Sequence, residues 1–208
     1  MTEWWWAYLA LGVFVGFFSG LLGIGGGAAM VPVLAFIFAA VWTVTGAMAA
    51  HFPRILEATG ATPVEAIAAG ALIGPAQVGA RMLEAGFLSR FHPLWSTRLA
   101  CLTHPIGAVV VAIFGGAAAS AFALFHGSGN GILTIARGTL PLAIFGPKDF
   151  GYRLGIIGAP ARMAQAVAPL AFGLLIDIMG AKVLIVSSAL SLSALAALFL
   201  IRAGPRPD

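Results

Sequence analysis

Apolar residues run along this chain in stretches of about 20 or more, the length a helix needs to cross a bilayer core, and polar residues collect between them. Residues 4–53 contain no Asp, Glu, Lys or Arg, which is too long for one span and right for a helical hairpin. The break falls on the glycine cluster Gly23, Gly25, Gly26 and Gly27, before Pro32 restarts the run. A helix then closes at a short acidic turn carrying Glu57 and Glu65, and the next one runs to a basic loop with Arg90, His92 and Arg98. The span over residues 99–115 holds His104 and Pro105, and a very short turn leads into a helix through Arg137. That helix leaves at a polar loop with Lys148, Asp149 and Arg153. Two final spans are separated by a tight turn with Asp177, Gly180 and Lys182, and the last, over residues 183–201, ends at Arg202 and Arg206. The pattern predicts an all-α, polytopic membrane protein of about six to seven transmembrane helices.

Composition agrees: 61% of residues are hydrophobic, 9% are charged, and the mean hydropathy is +1.02. Soluble domains have about 25% charged residues. The formal charge of +4 sits at the ends of apolar runs, which suits loop anchoring and does not make the basic patch that nucleic acid requires. With alternating spans, the Arg90/Arg98 loop, the Lys148/Arg153 loop and the Arg202/Arg206 tail fall on one side, opposite Glu57, Glu65, Asp177 and Lys182. The positive-inside rule makes the basic side, and with it the C-terminus, cytoplasmic. Trp4, Trp5 and Trp6 then form an aromatic belt outside, and Gly12, Gly16 and Gly20 offer a smooth helix groove. The single cysteine, Cys101, reads as a small core residue.

Arg137 is the only charged side chain in residues 99–147. A guanidinium keeps its proton in a low dielectric, so it needs a partner, a polar cavity or the membrane surface. His126, Asn130, Thr134 and Arg137 fall within an arc of about 80° and rise about 16 Å on an ideal helix, a polar stripe that reads as a binding face or pathway. Gln77, Arg81 and Glu84 share an arc of about 60° on an earlier helix, where Arg81 and Glu84 are placed to pair. Arg162 with Gln165 forms another polar pair, and His51 with Arg54 lies near a helix end. The blander account of each is an arginine snorkelling to the headgroups, or an amide joining two helices. Metalloprotease and serine-hydrolase motifs are lacking, the only aspartates are Asp149, Asp177 and Asp208, and no Lys-Ser or Lys-Thr follows the glycine cluster. The expectation is a protein that is not an enzyme and uses no cofactor and no metal.

Two stretches resemble known families. LALGVFVGFFSGLLGIGGGAAMVPVL, over about residues 8–38, is similar to the first helix and glycine turn of the TauE/SafE sulfite and organosulfonate exporters. Residues 41–202 resemble the C-terminal six-helix half of a major facilitator superfamily transporter through GPAQVGARMLE, HGSGNGILTIARGTLP and GAPARMAQAVAPLAFGLLID. The resemblances imply an exporter-like N-terminal segment over residues 1–40, and over 41–208 a bundle of two inverted three-helix repeats. Alternating access would then require a partner half, either a second copy or an N-terminal half the sequence does not hold. In a bacterial inner (plasma) membrane, as the resemblance implies, Arg137, Asn130, Thr134, His126, Gln77, Arg81, Arg162 and Gln165 would face a small solute, and an arginine there suits an anion and equally an internal salt bridge. Two other readings stay open: a non-transporting membrane scaffold or truncated fusion product, and a sulfite or organosulfonate exporter.

Overall fold

The computed structural model describes residues 27–201. The expectations for the tryptophan belt, the glycine groove, the glycine turn up to Gly26 and the Arg202/Arg206 tail lie outside the described residues.

Within them the chain forms α1 (Gly27–Ala58), α2 (Pro63–Gly86), α3 (Pro93–Phe114), α4 (Ala119–Phe145), α5 (Phe150–Met179) and α6 (Val183–Phe199), with no strand among the described residues. Each boundary has a local cause. Thr62 and Glu65 close a capping box at the start of α2, where the Thr62 N–H donates to Glu65 Oε2 at 2.8 Å and the Glu65 N–H to Thr62 Oγ1 at 3.3 Å. Pro63 and Pro93 occupy the first turns of α2 and α3, where a missing N–H costs nothing. Gly115 and Gly180 end α3 and α5 with φ of 62° and 55°, a backbone that a side chain would disfavour.

Four helical stretches are long and apolar enough to cross a membrane: Met30–Ala58, Pro63–Arg90, Pro93–Phe145 and Phe150–Phe199. The last two contain the glycine turns, so each comprises two α-helices. The division expected near residues 40 and 41 falls inside α1, which continues through it without a break.

The helices pack in a mirrored pattern. α1 lies mainly against α5 and then α6, while α4 lies mainly against α2 and α3, and α3 meets α6. Exchanging α1, α2 and α3 for α4, α5 and α6 leaves this scheme of neighbours unchanged. The turns sort by end. Thr59, Gly115 and Lys182 line one cavity at one end, close to the Arg54–Asp177 ion pair. At the other end Arg98 donates to the carbonyls of Leu198 (2.9 Å) and Ile201 (3.3 Å), joining α3 to the end of α6.

Two apolar clusters fill the bundle, and every helix passes from one to the other. On α1, residues from Leu34 to Val41 belong to the cluster at the Arg98 end and residues from Val44 to Leu56 to the cluster at the Arg54 end. The change on α4 comes between Ala123 and Ile132, on α5 between Ala161 and Ala168, and on α6 between Leu184 and Ala194. Those intervals hold His126 and Asn130, Arg162 and Gln165, and Ser187 and Ser191. A polar layer therefore lies at mid-length between the two clusters.

Arg54 and Asp177 are 50% and 59% exposed as side chains, so water screens their attraction. Arg54→Ala is expected to change stability by less than about 1 kcal/mol. A thiol-reactive dye can follow unfolding, because the lone cysteine, Cys101, is buried.

Candidate functional site

The polar layer opens on the side formed by α1, α4, α2 and α5. At its centre Thr45 Oγ1 on α1 donates to Asn130 Oδ1 on α4 at 3.2 Å, sharing its proton with the Val41 carbonyl at 3.1 Å. Towards the Arg98 end, the Arg137 guanidinium carbon stands 6.0 Å from the centre of the Trp42 ring, and that of Arg162 stands 5.5 Å from the same ring. Arg162 Nη1 donates to Gln165 Oε1 at 2.9 Å. On the α2 side, Arg81 Nε donates to Thr134 Oγ1 at 3.2 Å and Nη2 to Gln77 Oε1 at 3.4 Å.

Arg81, Arg137 and Arg162 thus project from three helices, and none has a carboxylate within 4.0 Å among the described residues, where the one ion pair is Arg54–Asp177. Arg81 and Arg162 are exposed and Arg137 is half-buried. Two like charges flank one indole with no counter-charge from the described residues, which raises the potential there and favours an anion.

Seven of the eight expected residues fall into three contact groups: Gln77 and Thr134 on Arg81, Asn130 on Thr45, and Arg137, Arg162 and Gln165 around Trp42. His126 belongs to none of them. It is buried, and its Nδ1 lies 3.1 Å from His104 Nδ1, while His104 Nε2 lies 2.9 Å from Ser187 Oγ. The azimuth of His126 matches that of Arg137, but its depth differs: at the His126 level α4 is covered by Phe52 of α1 and by α3. One consistent set of bonds has Ser187 Oγ donating to the Leu184 carbonyl and accepting from His104 Nε2–H, with His104 Nδ1 accepting from His126 Nδ1–H. A cavity of about 20 Å³ beside the histidines is lined by Thr45, Thr103, Asn130 and Ser191, enough for one water.

The expected Arg81–Glu84 pair does not form. Arg81 turns to Thr134 and Gln77, whereas Glu84 is buried at 4% exposure among α2, α3 and α4. An arc of about 60° on a wide side-chain fan is enough for two neighbours to face different helices. His51 and Arg54 likewise serve separate contacts, His51 Nε2 on the Pro169 carbonyl at 2.7 Å and Arg54 on Asp177.

No family model matches the chain, and no curated protein matches it.

Trp42 and Thr45 are the site residues that sequence reasoning missed. Their signal was weak but present: a tryptophan and a threonine deep inside an apolar run, away from the interfaces where such rings usually gather.

The histidine chain carries its own prediction. His104→Ala removes a buried ring and leaves His126 and Ser187 without their shared partner, and should cost roughly 2–4 kcal/mol. Unfolding followed at the Cys101 thiol checks it, and a melt equal to wild type would show that the chain contributes no stability.

Proposed function

We propose that the protein is a membrane carrier bundle of the major facilitator type that moves a small anionic solute by alternating access against a second six-helix bundle. The observation that carries this reading is the set of arginines on the open side of the bundle, Arg137 and Arg162 on one indole and Arg81 on Thr134, one turn before Arg137, without carboxylate partners among the described residues. Charges inside the span of a membrane are expensive unless a solute or a companion bundle meets them. The mirrored packing of α1, α2 and α3 with α4, α5 and α6 supports a bundle of two three-helix repeats, and such bundles bind solute near the bilayer midplane.

In this reading the six α-helices are six spans, the basic end is cytoplasmic, and the protein resides in a bacterial inner membrane. The open side of α1, α2, α4 and α5 is where the second bundle, from another copy or another chain, encloses the site. Two guanidinia on one ring favour a solute with two negative charges, since a monoanion leaves one of them uncompensated.

Uptake and efflux in proteoliposomes across matched pairs of mono- and dianions test the proposal. Saturable transport of a dianion, competed poorly by its monoanionic analogue, is the expected result. Transport of no anion in either direction would instead favour a non-transporting scaffold.

A further inference from the structure

Glu84 stands apart from the arginine side. It is 4% exposed, and neither carboxylate oxygen receives a hydrogen bond or ion pair among the described residues; Oε2 is wholly enclosed. The side chain lines a cavity of about 210 Å³ at the Arg98 end, shared with Ala85, Ser89, Phe91, Pro93, Ile135 and Thr139. Bulk water occupies about 30 Å³ per molecule, so this space holds an ion with several waters.

The Thr139 hydroxyl presents an acceptor to the cavity. Thr139 Oγ1 donates its proton to the Ile135 carbonyl at 3.3 Å, and Ser89 Oγ donates its own to the Ala85 carbonyl at 2.8 Å. Among the described residues, the nearby arginines serve other contacts or lie exposed. Arg81 binds Thr134 and Gln77, and Arg98 binds the Leu198 and Ile201 carbonyls while lying 4.5 Å from the Phe199 ring centre. Arg90 is exposed on the turn that follows α2.

We propose that this cavity is a binding site for a monovalent metal cation, with Glu84 supplying the charge and Thr139 Oγ1 a second oxygen. Carboxylate, hydroxyl and water oxygens suit a hard cation, and a single carboxylate neutralises one positive charge where a divalent ion would leave a net charge buried. The site would bias the packing of α2 against α4, the two helices that hold Arg81 and Thr134, and so gives the carrier a coupling ion. The cation site itself does not depend on the anion reading.

The full-length protein in detergent is titrated with sodium chloride against choline chloride at constant ionic strength, with radioactive sodium binding and Cys101 unfolding as readouts. Binding should saturate near about one Na⁺ per chain and raise the unfolding midpoint by roughly 5 °C at a hundredfold excess over Kd. Glu84→Gln should lose the binding, and Thr139→Val should weaken it about tenfold while still folding. Absence of saturable sodium binding in the wild type overturns the proposal, as does undiminished binding in both variants. A midpoint that responds to pH and ignores sodium assigns the carboxyl to a proton instead, and equally overturns it.

Discussion

Arg137→Ala should reduce dianion transport in proteoliposomes about a hundredfold while leaving the protein folded. The guanidinium lies half-buried 6.0 Å from the Trp42 ring, and no described side chain accepts a hydrogen bond from it, so its removal breaks no internal bond that holds the bundle. Losing one member of a desolvated charge pair with a solute costs about 2–5 kcal/mol, and a hundredfold change corresponds to about 2.7 kcal/mol. Arg137→Lys should recover only part of the activity, because an ammonium offers a point charge in place of a planar fork. Equal initial rates for Arg137→Ala and wild type would remove this side chain from the mechanism. Arg162→Ala is the companion test: if Arg137 and Arg162 share one dianion, its selectivity over the monoanion should fall in either variant.

Gly131→Val should have a large effect on stability. A Cβ at Gly131 would meet the Gln77 carbonyl oxygen at 2.6 Å and the Gln77 Cα at 2.9 Å, and one at Gly127 would meet the Ile73 carbonyl oxygen at 2.8 Å. These obstacles are backbone, which cannot rotate away, so α4 and α2 would have to separate. Overpacking of a close contact costs about 1–3 kcal/mol and more when backbone must move, and valine at Gly131 belongs at the upper end. The substitution should lower the midpoint of Cys101 labelling sharply and loosen Arg81 from Thr134. Gly138, on the same helix, has nothing within 4 Å of an added Cβ, so Gly138→Ala serves as the control with little expected change. Matching melts for Gly131→Val and Gly138→Ala would show that α2 and α4 do not pack as closely as described.

The two effects separate what is local from what is shared. Gly131 acts through the distance between two helices, and Arg137 acts through charge in a gap those helices frame. A defect at Gly131 should therefore impair binding and stability together, whereas a defect at Arg137 should impair binding alone.

Much of the architecture is legible in the chain. The all-helical class follows from apolar runs of membrane length, and the helix ends from Thr62 with Glu65, from Pro63 and Pro93, and from Gly115 and Gly180. These signals are local: capping, a fixed φ and a missing Cβ act within a few residues and need no partner. The polar positions Asn130, Arg137, Gln77, Arg81, Arg162 and Gln165 are also visible, because a polar side chain in an apolar run is conspicuous by itself.

Which of those groups meet is a property of the packed bundle alone. The period of a helix gives the direction of a side chain around its axis, but neither its depth nor the neighbour that covers it. His126 and Arg137 share a direction, yet one is sealed against His104 and the other opens beside Trp42. Glu84 and Arg81 share a helix face in sequence, yet they turn to different partners because α4 approaches between them through its glycines. Trp42 joins two arginines from helices more than 90 positions further along the chain, a relation that arises only when α1 docks beside α4 and α5. Sequence alone determined the helices, their ends and their polar inventory, because those depend on neighbours a turn away; the tertiary structure decided the layer, the site and its missing counter-charges, because those depend on helices that touch.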